Sequence, residues 1–74
     1  MPLIQVKMIE GVFTAAKKQE IITRLTDALV SVEGENLRPY TVVLLEEVRS
    51  GDWSVGGKSL TTADVHAVAA GKAA

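Results

Sequence analysis

Apolar and polar residues alternate from Leu3 to Ile9, with Ile4, Val6 and Met8 on one side and Gln5 and Lys7 on the other. A two-residue period predicts a strand with one buried face. Glu10-Gly11 ends it. The period then changes: Ile21, Ile22, Leu25, Ala28, Leu29 and Val32 recur at helical spacing, and Lys17, Lys18, Glu20, Arg24 and Asp27 fall largely opposite. Thr14 stands where an N-cap belongs and Gly34 where a helix stops, so the spacing predicts a helix over 15–33. Arg38-Pro39 opens the next segment, and the proline argues against helix there. Tyr40 to Leu45 is β-rich and apolar almost throughout, which predicts a second strand covered on both faces. One helix covers one face, so the second cover is expected from another subunit.

Strand, helix, strand of these lengths forms a βαβ unit, parallel and right-handed. Ser50-Gly51-Asp52 and Gly56-Gly57 are turn signals, and between them Trp53-Ser54-Val55 reads as part of a short hairpin. Thr61 or Thr62 caps a last helix, Ala63 to Ala70, ending at Gly71. The fold class is α+β: a two-layer βαβ unit with a C-terminal hairpin and short helix, in one domain over 1–74.

Composition narrows the picture. A core built from 74 residues rarely supplies more than ~3–5 kcal/mol by itself. Cysteine is absent, which removes disulfides, thiolate metal sites and cysteine nucleophiles, and a single histidine makes structural zinc a poor fit. Association of copies is the remaining support, and 47% hydrophobic residues with a mean hydropathy of +0.22 suit a homo-oligomer. The net charge of −1 carries no basic block, so nucleic acid is not an expected partner. No apolar run approaches the ~20 residues of a membrane span, and the start lacks a signal-peptide pattern. The cytoplasm is therefore the expected location. No repeat or linker interrupts the chain, and only 67–74 is rich in alanine and glycine.

Several groups invite chemistry. Gly56-Gly57-Lys58-Ser59 brushes against a phosphate-binding loop, but Asp52 stands where the first glycine belongs and Gly51 is out of register. A glycine-turned hairpin accounts for these residues. His66 lies among alanines and valines, with Asp64 two residues away and so turned elsewhere on a helix; it reads as a surface or subunit-contact residue. Glu46 and Glu47 are neighbours on a strand and face opposite sides. Met8 reads as core. Trp53, the only tryptophan, reads as an interface anchor or a pocket wall. Pro2 follows the initiator methionine, which is normally trimmed before a small residue. The chain would then begin with a free secondary amine at the head of a strand.

Taken in order, the Pro2 start, the Leu3–Ile9 strand, Glu10-Gly11, the amphipathic helix, Glu47-Val48 and Gly51-Asp52-Trp53-Ser54-Val55-Gly56-Gly57 resemble the tautomerase superfamily, in its short 4-oxalocrotonate tautomerase type. The resemblance spans residues 2–57. It implies βαβ subunits that dimerise, commonly three dimers to a hexamer, with the N-terminal proline as catalytic base. Pro2 falls on that proline, Trp53 on the aromatic that walls the site, and Leu3, Ile9 and Val55 on apolar pocket positions. Two family arginines are absent: Val12 stands where one binds the substrate carboxylate, and Val42 where the other stabilises the enolate. A dicarboxylate is therefore not the expected substrate. Arg38, Arg49 or Lys7 could supply charge from new positions. Lys7 lies on the strand face opposite Pro2, which favours Arg38 or Arg49.

A free α-amino group titrates near ~7.7–8.0, a prolyl amine somewhat higher, and an apolar pocket lowers it by disfavouring the cation. A neutral Pro2 nitrogen could take a proton from carbon beside a carbonyl and return it elsewhere. The expected activity is a tautomerase or isomerase acting, without a cofactor, on a small unsaturated or 2-oxo acid, monocarboxylic and fairly apolar. Two alternatives stand beside it. In one, Pro2 is a general acid in a hydratase or dehalogenase, with Glu47 activating water. In the other, the chain is a non-catalytic subunit of a mixed oligomer.

Overall fold

Strand β1, Leu3–Ile9, and strand β2, Val42–Val48, pair in parallel, with Leu3 beside Val42 and Ile9 beside Val48. The structure is a computed structural model and describes residues 1–72. The end of the Ala/Gly-rich tail, 73–74, lies outside the described residues. The ladder extends past both strand ends. The Pro2 carbonyl accepts the Val42 N–H at 3.0 Å, and the Val48 carbonyl accepts the Glu10 N–H at 2.8 Å.

Helix α1, Ala15–Glu33, crosses between the strands with the limits that the spacing predicts. The Thr14 hydroxyl accepts the Lys17 N–H at 3.2 Å. Gly34 ends the helix at φ +101°, where a side chain would be strained, and donates its N–H to the Val30 carbonyl. The helix packs on β2 over the face that carries Ile4, Val6, Met8, Val43 and Leu45. Met8 and Val30 are buried there. Val32, read above as part of the apolar stripe, is instead 85% exposed. Two residues on a helix are about 200° apart, so with Val30 facing the sheet Val32 faces away.

The segment before β2 also differs from expectation. Glu35–Tyr40 is a 3-10 helix with Pro39 inside it, and β2 starts at Val42 rather than Tyr40. The fixed φ of proline, about −65°, suits a 3-10 turn as well as a strand. The turn closes through Leu37 N–H to the Gly34 carbonyl and Thr41 N–H to the Arg38 carbonyl.

Strands β3, Trp53–Val55, and β4, Lys58–Leu60, form an antiparallel hairpin with Trp53 beside Leu60. Gly56 and Gly57, at φ +60° and +84°, make the two-residue turn whose twist suits a hairpin. Helix α2 spans Thr62–Ala69, one residue earlier than predicted. Thr61 and Asp64 form a reciprocal capping box at its start.

The second sheet face is covered only in part. At its C-terminal end Ile9 is 4% exposed and shares a cavity with Trp53 and Val65 of α2, so the chain itself supplies that cover. At the other end Leu3, Val42 and Leu44 remain open. The accessible surface is 5243 Å², against about 4,400 Å² for a compact monomer of this mass. The excess, about 800 Å², goes with an elongated shape of 43 × 23 × 19 Å. Among the described residues no helix is long and apolar enough to cross a membrane.

Replacing Val30 by alanine should destabilise the protein by about 2 kcal/mol through lost burial and a residual cavity. Replacing Val32 by alanine should change stability by less than about 0.5 kcal/mol. Urea unfolding at fixed protein concentration measures both; equal losses would contradict the placement of α1.

Candidate active site

The residues singled out from the sequence fall into two groups at opposite ends of β1. Pro2 and Leu3 lie at its start, and Arg38 lies in the 3-10 helix that leads into β2 beside them. Ile9 and Trp53 meet at its far end in one cavity. Arg49 follows the end of β2, and Val55, largely exposed, sits at the hairpin turn. Seven strand residues at about 3.3 Å each put the two groups more than about 20 Å apart. One chain therefore does not bring Pro2 and Trp53 together.

Pro2 is half-buried, and its carbonyl bond to Val42 ties it to the sheet. Arg38 is paired within its own chain. Its Nη1 donates to Asp27 at 2.8 Å, and its Nε and Nη2 donate to the two Glu35 oxygens at 2.9 and 3.2 Å. Those bonds raise the Arg38 pKa and hold the Glu35 carboxyl below the usual range. The guanidinium fork thus answers two carboxylates of its own chain. Arg49 joins no ion pair among the described residues.

The far end is organised by two glutamates. Glu47 lies on the helix-covered face of β2. One of its oxygens accepts from Lys18 Nζ at 2.6 Å, and the other accepts the Gly11 N–H at 3.0 Å. The Lys18 bond first, then the Gly11 N–H, hold its carboxyl below the usual range. Glu10 accepts the Ser50 N–H at 3.0 Å, the Ser50 hydroxyl accepts the Thr62 N–H at 2.9 Å, and the Thr62 hydroxyl donates to the Glu10 carbonyl at 2.6 Å. These bonds join the loop after β1, the turn after β2 and the start of α2. His66 adds to the junction, with Nε2 3.2 Å from the Gly11 carbonyl. Gly11 has φ +76°, and a Cβ there would meet Thr62 at 3.3 Å. Glu46 faces the open side, where it accepts from Gln5 Nε2 at 2.7 Å.

Around this junction lies a cavity of about 250 Å³, lined by Lys7, Met8, Ile9, Val12, Phe13, Trp53 and Val65. Phe13 and Val65 were not singled out from the sequence. The only signal for Val65 was the apolar side of a short helix, and nothing in the spacing placed that helix over the loop at Gly11. Among the described residues no cluster of three metal-ligating side chains occurs.

Residues 2–63 match the tautomerase enzyme family. Over 61 residues the chain is 34% identical to a probable tautomerase K2 of Dickeya dadantii, covering 82% of this chain and 90% of that relative. It is also 34% identical over 61 residues to a 2-hydroxymuconate tautomerase of Bacillus subtilis, covering 82% of this chain and 95% of the relative. A crystal structure of a 4-oxalocrotonate tautomerase homologue superposes with a TM-score of 0.70 and 33% identity, over 86% of this chain and 95% of the other. The chain belongs to the tautomerase family. It is an enzyme of the isomerase class.

The Glu47 carboxyl, held below its usual range, makes the bonds to Lys18 and Gly11 pH-sensitive. A depressed acid in the folded state contributes fully above the unfolded value, and its contribution vanishes as pH falls through the folded value. The stability gap between wild type and Glu47→Gln should be widest at neutral pH and close below about pH 4. Thermal melts across that range test it; a gap that does not narrow in acid would contradict the assignment.

Proposed function

We propose that Pro2, freed by removal of Met1, is the general base of a tautomerase that moves a proton on a small unsaturated or 2-oxo acid. The observation that carries this is that the family match begins at residue 2, so Pro2 is the first residue of the matched unit. With Met1 attached the Pro2 nitrogen is an amide with no basic lone pair. With Met1 removed it is a secondary amine, held in place by its own carbonyl bond to Val42.

The separation along β1 gives the assembly its role. Pro2 and Leu3 of one copy meet the Trp53 end of another, so the site is shared between subunits. The open strip of Leu3, Val42 and Leu44 is the surface through which copies pair, and a hexamer built as three dimers is the expected size. The apolar walls lower the local dielectric and favour the neutral amine. That amine takes the proton from carbon beside the carbonyl and gives it back at a second position, with the negative charge held meanwhile by a nearby donor. The hydratase reading needs Glu47 to activate water, whereas Glu47 is bonded to Lys18 and Gly11 on the helix side of the sheet.

Intact mass of the purified protein should show the chain without Met1. Pro2→Ala keeps a primary amine, so kcat/KM for phenylenolpyruvate ketonisation should fall roughly ten- to a hundredfold, short of the ~10⁴ that a lost general base can cost. Full activity in Pro2→Ala would overturn the assignment.

A further inference from the structure

We infer that the cavity between Trp53 and α2 is the subsite for an apolar monocarboxylate, with Lys7 binding the carboxylate and Val65 setting the largest group that fits. For turnover this rests on the Pro2 assignment; for binding it stands alone. Six of the lining residues, Met8, Ile9, Val12, Phe13, Trp53 and Val65, are apolar, and Lys7 is the one charged side chain among them.

Lys7 is available for a ligand. Its strand neighbour across the ladder is Glu46, yet Glu46 accepts from Gln5. Among the described residues Lys7 joins no ion pair, whereas Lys18, Arg24 and Arg38 are each paired within their own chain. Val12, which stands where an arginine would bind a carboxylate, lines the same cavity as Lys7. A cationic side chain therefore lines this cavity, brought from β1 instead of the loop. One ammonium answers one carboxylate. A second carboxylate among Val12, Phe13, Trp53 and Val65 would lie against apolar walls without a partner, which is unfavourable.

Val65 gives the cavity a wall of this chain's own. The family match stops at residue 63, and Val65 lies beyond it on α2. The helix is not loosely placed. The Glu10–Ser50–Thr62 bonds and the His66–Gly11 contact hold it to the loop that carries Val12 and Phe13. Widening or narrowing position 65 should thus change which hydrocarbon group enters, with no change at the reacting carbon.

Trp53, the only tryptophan, reports on its own cavity. The probe is 3-phenylpropionate, which has no carbonyl to tautomerise, compared with its neutral amide by fluorescence titration of the full-length protein. Wild type should bind the acid about two- to fivefold tighter than the amide, the gain of one ion pair at an exposed lysine. Lys7→Met should abolish that preference and Lys7→Arg should keep it. Val65→Trp should weaken the acid by a similar factor. Acid and amide binding alike to wild type would overturn the inference without recourse to any variant, as would Lys7→Met retaining the preference. Activity separates the two claims. A slowed Pro2→Ala enzyme beside an unaffected Lys7→Met enzyme sinks the subsite and keeps the base. A fully active Pro2→Ala enzyme with the acid preference intact sinks the base and keeps the subsite.

Discussion

Two parallel strands have two faces and two ends, and a chain of this length has one long helix with which to cover them. Helix α1 covers one face. The hairpin and α2 cover the far end of the other, leaving Leu3, Val42 and Leu44 open at the near end. The same strands hold Pro2 at one end and the Trp53 cavity at the other, beyond reach of each other in one copy. Burial, and the chemistry proposed for Pro2, thus make the same demand for a second chain. The surface excess over a compact monomer reflects this open, elongated shape.

The far end of the sheet combines the burial of Met8 and Ile9 with directed hydrogen bonds. Glu47 fixes the Gly11 loop from below through its backbone N–H and Lys18. Glu10, Ser50 and Thr62 clasp that loop to the turn and to α2. The loop carries Val12 and Phe13, so these bonds set the shape of the cavity without lining it. Glu47 accordingly reads as a positioning residue rather than a free carboxylate.

The fold was legible wherever local physics decides it. Alternation marked β1, Thr14 and Gly34 bounded α1, and Gly56-Gly57 marked a turn that requires positive φ twice. Pro39 misled because its fixed φ suits either a strand approach or a 3-10 turn, and only the bonds around it choose. Val32 misled because helical spacing admits more than one stripe, and the sheet selects the one through Val30. Candidate site residues can be named from the sequence, but their grouping in space cannot. Face parity alone sets Lys7 apart from the chemistry, yet at the end of β1 it lines one cavity with Trp53 of the hairpin and Val65 of α2. Arg38 looked available until the fold brought Asp27 and Glu35 to its guanidinium. Long-range placement of this kind carries no periodic signal.

The sharing of one site between two copies is the claim on which the chemistry turns. Its most direct measurement is the tautomerase activity of an oligomer refolded from equal amounts of Pro2→Ala and Trp53→Ala chains. Where copies mix, some sites should combine an intact Pro2 with an intact Trp53. The mixture should then exceed the mean activity of the two variants refolded separately. A mixture no more active than that mean, in an oligomer shown to contain both chains, would contradict the shared site.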